Sequence, residues 1–310
     1  MKRNILAAVD GSVFSFNALR YLSHLFTDLE DIFVHLLYIV PTGFQSPDRG
    51  WLDDFELMCR IGPKARGLLA KGKRFMEEAV LQLGRRGIAP EQVTTTVRPA
   101  KGGIAADILF EARNGLYDAL LIGRRGIGKL EEMFMGSVSA AIVDTCFDLP
   151  IWIVDGKVNS RRFLLPVDGT FNSLKAADHL GFILKDNPYA EITLFHLAAL
   201  FADEAKKINR QALHEIWGEE WCMAHLEKDD SLYSAPEQLL LEHGISPSRI
   251  KRFSKDGGIS APKHILRRSV IDKHGTIVIG RRGKHVKKGI LKGVSENVLR
   301  MANGVAVWIV

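Results

Sequence analysis

The feature that most constrains this 310-residue sequence is an internal repeat that spans almost all of it. Four segments occur twice in the same order, at offsets of 155–158 residues: 4–12 with 162–170, 102–105 with 257–260, 122–126 with 279–283, and 151–154 with 307–310. Solenoid repeats are only about 20–50 residues long, so a period of half the chain indicates a duplicated domain. We predict one domain over residues 1–156 and a second over residues 160–310.

Within each copy, short apolar runs alternate with stretches of helical periodicity. In the first copy they predict strands at residues 5–9, 32–40, 93–97, 119–123 and 150–154, and helices at 14–26, 55–83, 103–114 and 137–146. In the second copy they predict strands near 162–167, 191–197, 249–253, 276–280 and 305–310, and helices near 202–225 and 236–243. Apolar strands alternating with helices are typical of a parallel sheet covered on both faces. The predicted fold class is therefore α/β, with two tandem five-stranded parallel-sheet domains.

Charge and composition narrow the range of partners. The chain has 42 Lys plus Arg against 36 Asp plus Glu, a net charge of +6, which is mild and makes a nucleic acid an unexpected partner. No apolar run approaches the roughly 20 residues of a membrane-spanning helix, so no membrane association is expected. Three widely spaced cysteines are typical of free thiols in a reducing compartment, and we predict a cytoplasmic protein.

The loop after the fourth predicted strand carries the parts of an anion site. Ligands of parallel sheets bind beyond the carboxyl ends of the strands, where Asp10-Gly-Ser12 and residues 123–139 both fall. A helix that begins after glycine at Ser137 presents unpaired N–H groups and a positive dipole end. Ser137 and Ser139 add hydroxyls, and Arg124, Arg125 and Lys129 add positive charge nearby. A glycine turn followed by an ordinary serine cap would look the same, so the residues alone leave that interpretation open.

Other binding and catalytic motifs find little support. Residues 123–129 match the Gly-x4-Gly-Lys spacing of a P-loop, but Leu130 stands where Ser or Thr would hold Mg²⁺. The dinucleotide fingerprint after strand one, the Gly-x-Ser-x-Gly elbow and a His/Cys zinc pattern are all missing from the sequence. No acid–base pair is evident either, so we expect no enzyme.

The glycine spacing carries a family resemblance. Gly123, Gly126, Gly136 and Ser137 fit the pattern Gly-x2-Gly-x9-Gly-[Ser/Thr] of the ATP-binding universal stress proteins. Residues 9–12 and 150–154 also resemble the first and last strands of that family. Each half thus resembles a universal stress protein domain, and the whole chain resembles a tandem member. The resemblance implies a sheet of the adenine-nucleotide α-hydrolase-like type and ATP, ADP or AMP as ligand, with Mg²⁺ on the phosphates left open.

The resemblance also implies a set of site residues in the first half. Asp10 either helps hold Mg²⁺ or caps the following helix, and no protein metal site is predicted. Ile39 and Ile122 either pack on adenine or belong to the core. Ser12 and Arg124 join the set by position, and the resemblance supplies the rest. The candidate nucleotide site comprises Ala8, Asp10, Ser12, Ile39, Ile122, Gly123, Arg124, Gly126, Gly136, Ser137, Val138 and Ser139.

The second half departs from the pattern at one decisive place. Val294 stands where Ser or Thr is needed, and Ser295 comes one residue late. A valine offers no hydroxyl to a phosphate, although backbone N–H groups remain. We therefore expect a weaker second site, made of Pro166, Asp168, Leu197, Ile279, Gly280, Gly283, Gly293, Val294 and Ser295.

These observations favour a sensor or regulatory module that binds ATP or a related adenine nucleotide, mainly through its first domain. We expect at most slow ATP hydrolysis, because no base, arginine finger or nucleophile is identifiable. A nucleotide-free interaction module and an ATP-dependent adenylating enzyme are the alternatives. The apolar last strands predict an intramolecular pseudo-dimer of the two halves, with a homodimer left open. A stripe around Trp217 and Trp221 predicts core packing, with a surface for an unknown protein partner as the minority interpretation.

Overall fold

The computed structural model describes residues 2–26, 30–42, 62–125, 135–185, 187–198, 210–255, 260–281 and 293–310. The chain divides into two compact units, Met1–Lys157 and Val158–Val310. Each unit holds five parallel strands flanked by helices, so the predicted α/β fold class is confirmed. Among the described residues, no helix combines the length and the apolar character needed to cross a membrane.

The first unit is built on strands β1 (Arg3–Ala8), β2 (Ile32–Val40), β3 (Val93–Pro99), β4 (Ala119–Gly123) and β5 (Ile151–Val154). Their order in the sheet is β3-β2-β1-β4-β5, so the chain moves outward from β1 and then returns to its other side. Ala8 pairs with both Leu37 and Ile122, which brings the carboxyl ends of three strands to one edge. The reversal between β1 and β4 is where ligands of such sheets bind.

Four described helices cover this sheet: α1 (Val13–Leu25), α2 (Pro63–Gly84), α3 (Ile104–Asn114) and α4 (Ser137–Thr145). Helix α2 begins at Pro63, whose fixed φ suits a first helical position. The sequence predicts a helix over 55–83. The structure describes it from Pro63 onward, and residues 55–61 lie outside the described part. A one-turn 3₁₀ helix, Pro90–Gln92, precedes β3.

The second unit repeats the strand order with β6 (Arg162–Pro166), β7 (Glu191–Leu197), β8 (Ile250–Lys255), β9 (Thr276–Ile279) and β10 (Ala306–Ile309), arranged as β8-β7-β6-β9-β10. Its described helices are α5 (Phe171–Leu184), α6 (Arg210–Trp217), α7 (Glu219–Leu226), α8 (Ser231–Glu242), α9 (Ala261–Ile271) and α10 (Val294–Met301). The duplication read from the sequence is thus a duplication of topology.

Two helix predictions for the second unit were wrong in detail. The single helix expected near 202–225 is interrupted at Gly218, whose φ of +80° ends α6 before α7 begins, and residues 202–209 lie outside the described part. Helix α8 begins at Ser231, so Pro236 lies inside it and not at its start. The tryptophan stripe packs within the unit: Trp217 lies 5.9 Å from the Phe171 ring, and Trp221 donates to Glu242 at 2.8 Å.

Candidate functional site

A cavity of about 300 Å³ opens at the carboxyl ends of β1, β2 and β4 in the first unit. Part of its lining is apolar, because strand ends and the neighbouring faces of α2 and α3 supply Tyr38, Ile39, Pro41, Leu68, Ile104, Ile108 and Ile122. The rest of its lining is largely polar, here called the polar end, and is formed by Asp10, Ser15, Arg125 and the start of α4. The cavity therefore offers contacts both to a flat apolar group and to a charged group.

Nine of the twelve residues predicted for this site line the cavity: Ala8, Asp10, Ile39, Ile122, Gly123, Gly136, Ser137, Val138 and Ser139. Ser12 does not line it, since its hydroxyl caps α1 by accepting the Ser15 N–H at 3.2 Å. Gly126 lies outside the described residues. Arg124 also lies away from the cavity wall, and its position is treated below.

The start of α4 forms the polar end. Gly136 is its N-terminal cap residue, and among the described residues no side chain caps the helix there. The N–H groups of the first turn therefore keep their hydrogen-bonding capacity for a ligand, at the positive end of the helix dipole. Ser137 is exposed at this end, and the first turn holds no acidic side chain. This arrangement suits an anionic group.

Ser139 has a different role from Ser137. Its hydroxyl is buried and donates to the carbonyl of Gly123 at 2.8 Å, which fastens α4 to the end of β4. Gly123 itself lies close to α1, because a Cβ atom placed there would come within 3.1 Å of the Phe14 backbone carbon. The hydroxyl of Ser139 thus positions the helix against the strand end.

Asp10 is held by the helix that follows it. Its Oδ1 accepts the Ser12 N–H at 2.9 Å and the Ser15 hydroxyl at 2.7 Å. The Ser15 hydroxyl also accepts the Asp10 N–H at 2.9 Å, so the carboxylate is fixed from two directions. This network favours the capping role of Asp10 and still leaves its carboxylate on the cavity wall. The described residues contain no group of three or more His, Cys, Asp or Glu side chains that could hold a metal ion.

The two adjacent arginines face different surroundings. Arg124 is only 3% exposed, and its Nη1 lies 3.3 Å from Oδ2 of Asp155, which is 4% exposed. Burial lowers the pKa of Arg124, and Asp155 opposes that shift. Arg125 lines the cavity, with its guanidinium 5.6 Å from the centre of the Phe14 ring. Of the two arginines, Arg125 therefore lines the cavity, whereas Arg124, the one included in the predicted site, does not.

Sequence reasoning missed most of the apolar wall. Tyr38 packs beneath α2, where a Cβ atom on Gly72 would lie 3.1 Å from the tyrosine ring. Burial raises the pKa of Tyr38, and the nearby Asp10 raises it further, so the phenol stays protonated at neutral pH. Leu68, Ile104 and Ile108 come from α2 and α3. Their helical spacing indicates only a buried face, and no local signal distinguishes a cavity wall from a core.

The equivalent edge of the second unit is built differently. A Cβ atom on Gly280 would lie 2.2 Å from the backbone oxygen of Asn172, so α5 approaches the strand end much more closely than α1 approaches Gly123. Helix α10 begins at Val294 after Gly293, and Glu296 occupies its first turn. A carboxylate in the first turn lies near the positive end of the helix dipole, where it disfavours a bound anion.

The other predicted residues of this second site occupy strand ends and helix starts. Asp168 accepts the Thr170 N–H at 3.0 Å and so supports the cap of α5. Pro166 ends β6, Leu197 and Ile279 are buried at the ends of β7 and β9, and Ser295 is buried in α10. Gly283 lies outside the described residues.

Comparison with known proteins agrees with the fold. Residues 1–154 match the model of the universal stress protein family. The chain belongs to this family. A universal stress protein from Archaeoglobus fulgidus is similar in fold, with a TM-score of 0.63, 19% identity, and coverage of 99% of this chain and 97% of that one.

A protein of unknown function from Pseudomonas aeruginosa PAO1 is also similar in fold, with a TM-score of 0.53, 14% identity, and coverage of 100% and 92%. A search of curated proteins found no match. Membership of the universal stress protein family is thus established together with the fold, while the ligand has to be argued from the site itself.

Proposed function

We propose that this universal stress protein binds an adenine nucleotide in the cavity of its first unit and acts as a nucleotide-dependent sensor or regulatory module. The observation that supports this most strongly is the meeting of an apolar slot with the uncapped start of α4. A purine base requires apolar walls, whereas phosphates require N–H donors and positive charge. A volume of about 300 Å³ lies at the small end of the range for ligand sites, which suits a nucleoside.

Each part of a nucleotide has a counterpart on the cavity wall. Ile39 and Ile122 would pack on the base, and Asp10 would accept a ribose hydroxyl. The N–H groups at the start of α4 and the guanidinium of Arg125 would hold the phosphates. No acid–base pair accompanies them among the cavity-lining residues, so the proposal is for binding with at most slow hydrolysis.

The second unit is proposed as the weaker site. Its helix α10 carries Glu296 in the first turn, whereas the first turn of α4 carries no acidic residue. An acidic side chain there complements the helix dipole and repels a phosphate. Denaturing the purified protein and quantifying the released nucleotide should give about one adenine nucleotide per chain, the stoichiometry of one strong site.

A pair of substitutions at Ser137 tests the proposal directly. Ser137→Glu places a carboxylate at the phosphate end, and Ser137→Gln places a neutral side chain of the same size there. Ser137 is exposed, and a negative charge at a helix start stabilises the helix by about 0.3–1 kcal/mol, so both variants should fold. We expect Ser137→Glu to weaken ATP binding in calorimetric titration at least about tenfold more than Ser137→Gln, because the carboxylate repels phosphate.

The matched control is Val294→Glu, which makes the same change at the first residue of α10. It should leave the affinity of the strong site unchanged. A loss of affinity confined to Val294→Glu would place the main site in the second unit. Wild-type protein that releases no nucleotide and binds none when ATP and Mg²⁺ are added would contradict the proposal and favour a nucleotide-free interaction module.

A further inference from the structure

The buried ion pair between Arg124 and Asp155 lies next to the cavity, because Arg124 stands between Gly123 and Arg125, which both line it. Arg124 follows β4, and Asp155 follows β5, so the pair joins the ends of two adjacent strands. Both side chains are almost fully buried, and their charges are separated by 3.3 Å. A buried pair of this kind contributes little net stability compared with apolar residues of similar volume, because both charges must leave water. Its presence therefore calls for an explanation other than stability.

The backbone of Arg124 connects the same elements. Its N–H donates to the carbonyl of Val154 at 2.9 Å, which continues the pairing of β4 with β5. Its carbonyl accepts the N–H of Gly136 at 2.9 Å, which holds the cap residue of α4. Arg124 is thus bound to the end of β5 through its side chain and its N–H group, and to the start of α4 through its carbonyl.

The start of α4 depends on these contacts. Gly136 has no side chain with which to cap the helix, and the hydroxyl of Ser139 donates to Gly123. The two hydrogen bonds that hold this end of α4 therefore end on the carbonyls of adjacent residues, Gly123 and Arg124. Any rotation of the chain at residue 124 would move both the helix start and Arg125, the next residue, which lines the cavity.

We propose that Asp155 is a positioning residue for the nucleotide site: it holds Arg124 so that the start of α4 and the guanidinium of Arg125 face the ligand. The inference rests on the proposed function, and it extends that function to a residue outside the cavity. Arg124 is then a support for the phosphate end and makes no contact with phosphate itself. This assigns different roles to two neighbouring arginines.

The variant Asp155→Asn distinguishes two possible roles of Arg124, support of the α4 start and direct binding of phosphate. The two roles change the ATP affinity in different directions. The substitution removes the charge but keeps the size of the side chain, so it loosens Arg124 without opening a cavity. Positioning predicts a loss of ATP affinity of about tenfold in calorimetric titration, the equivalent of one weakened hydrogen bond to a charged group. If Arg124 itself bound phosphate, its release from Asp155 would leave the affinity unchanged or raise it, and the proposal would be overturned.

The double variant Arg124→Met, Asp155→Leu covers the case in which Asp155→Asn does not fold. An apolar pair in place of a buried ion pair usually keeps or increases stability. We expect this variant to melt close to the wild type and yet to show about tenfold faster hydrogen exchange at the Gly136 amide. Wild-type exchange at Gly136 in the folded double variant would overturn the proposal.

The exchange experiment needs no nucleotide, so it also separates the two proposals. Wild-type protein that binds no ATP while the double variant still loses protection at Gly136 would refute the proposed function and leave the structural link intact. The matched control is Asp148→Asn, which breaks the exposed ion pair with Arg113 in the same unit. It should change neither the ATP affinity nor the exchange at Gly136.

Discussion

The close approach of α5 to the end of β9 makes Gly280→Ala a severe substitution. The added methyl would lie 2.2 Å from the backbone oxygen of Asn172 and 2.4 Å from its carbonyl carbon. Ordinary contact distances are about 3.5–4.0 Å, so the start of α5 has to withdraw by about 1 Å. The atoms involved are backbone and cannot rotate away, so we expect a cost near the upper end of the 1–3 kcal/mol typical of overpacking, about 3 kcal/mol.

The same substitution at Gly123 is the matched comparison. There the methyl would lie 3.1 Å from the Phe14 backbone carbon and 3.2 Å from the carbonyl oxygen of Arg125. A shift of a few tenths of an ångström relieves these contacts, and we expect a cost below about 1 kcal/mol. A third variant, Gly67→Ala, should change the stability in the opposite direction, since Gly67 lies in α2 with nothing within 4 Å of an added Cβ. It should stabilise by about 0.5–1 kcal/mol.

Differential scanning calorimetry is the appropriate assay, because two units can unfold in separate transitions. For a unit of this size, 1 kcal/mol shifts Tm by about 2–4 °C. Gly280→Ala should therefore lower the transition of the second unit by about 6 °C or more, and Gly123→Ala should lower that of the first unit by less than about 4 °C. Equal losses for the two variants, or a larger loss for Gly123→Ala, would refute the reasoning from contact distance.

Two further predictions concern backbone strain and pH. Leu116 is 83% exposed and has a φ of +51°, a strained backbone conformation for leucine. Leu116→Gly should relieve the strain and stabilise the protein by about 0.5–1 kcal/mol in urea unfolding. Destabilisation would contradict this. Burial lowers the pKa of His179 from 6.5 to about 3, so the unfolded chain takes up a proton as the pH falls below 6.5 while the native chain does not. The free energy of unfolding therefore falls between pH 6.5 and about 3, by up to about 1.4 kcal/mol per pH unit. The variant His179→Leu should flatten that slope when unfolding is measured at pH 7, 5.5 and 4.5. An unchanged slope would show that other groups cause the loss.

Much of the fold could be predicted because buried parallel strands are continuously apolar. The predicted strands at 32–40 and 119–123 coincide with β2 and β4, and the repeat predicted a second set of five strands in the other half. The helix near 202–225 was predicted less well. Its apolar stripe continues past Gly218, and only the backbone conformation of that glycine, with φ at +80°, separates α6 from α7.

The residues of the candidate site also fall into a group that could be predicted from the sequence and a group that could not. Residues at strand ends and in the glycine loop could be named from the sequence, because the resemblance to universal stress proteins assigns them and parallel strands bring their carboxyl ends to one edge. Tyr38, Leu68 and Ile108 could not, since they line the cavity only through the way α2 and α3 pack on the sheet. Whether a nucleotide fills the cavity stays a prediction that the Ser137 variants test.

The sequence by itself determined the duplication, the alternation of strands and helices, and the glycine loop at the end of β4. These properties depend on residues close together along the chain, through hydrophobic periodicity and the conformational freedom of glycine. Only the tertiary structure decided which of two adjacent arginines faces the cavity. That choice depends on Asp155, which follows a different strand 31 residues away, and on the helix start that Arg124 supports. Side-chain direction is set by such distant contacts, because a buried charge takes the orientation in which its partner satisfies it.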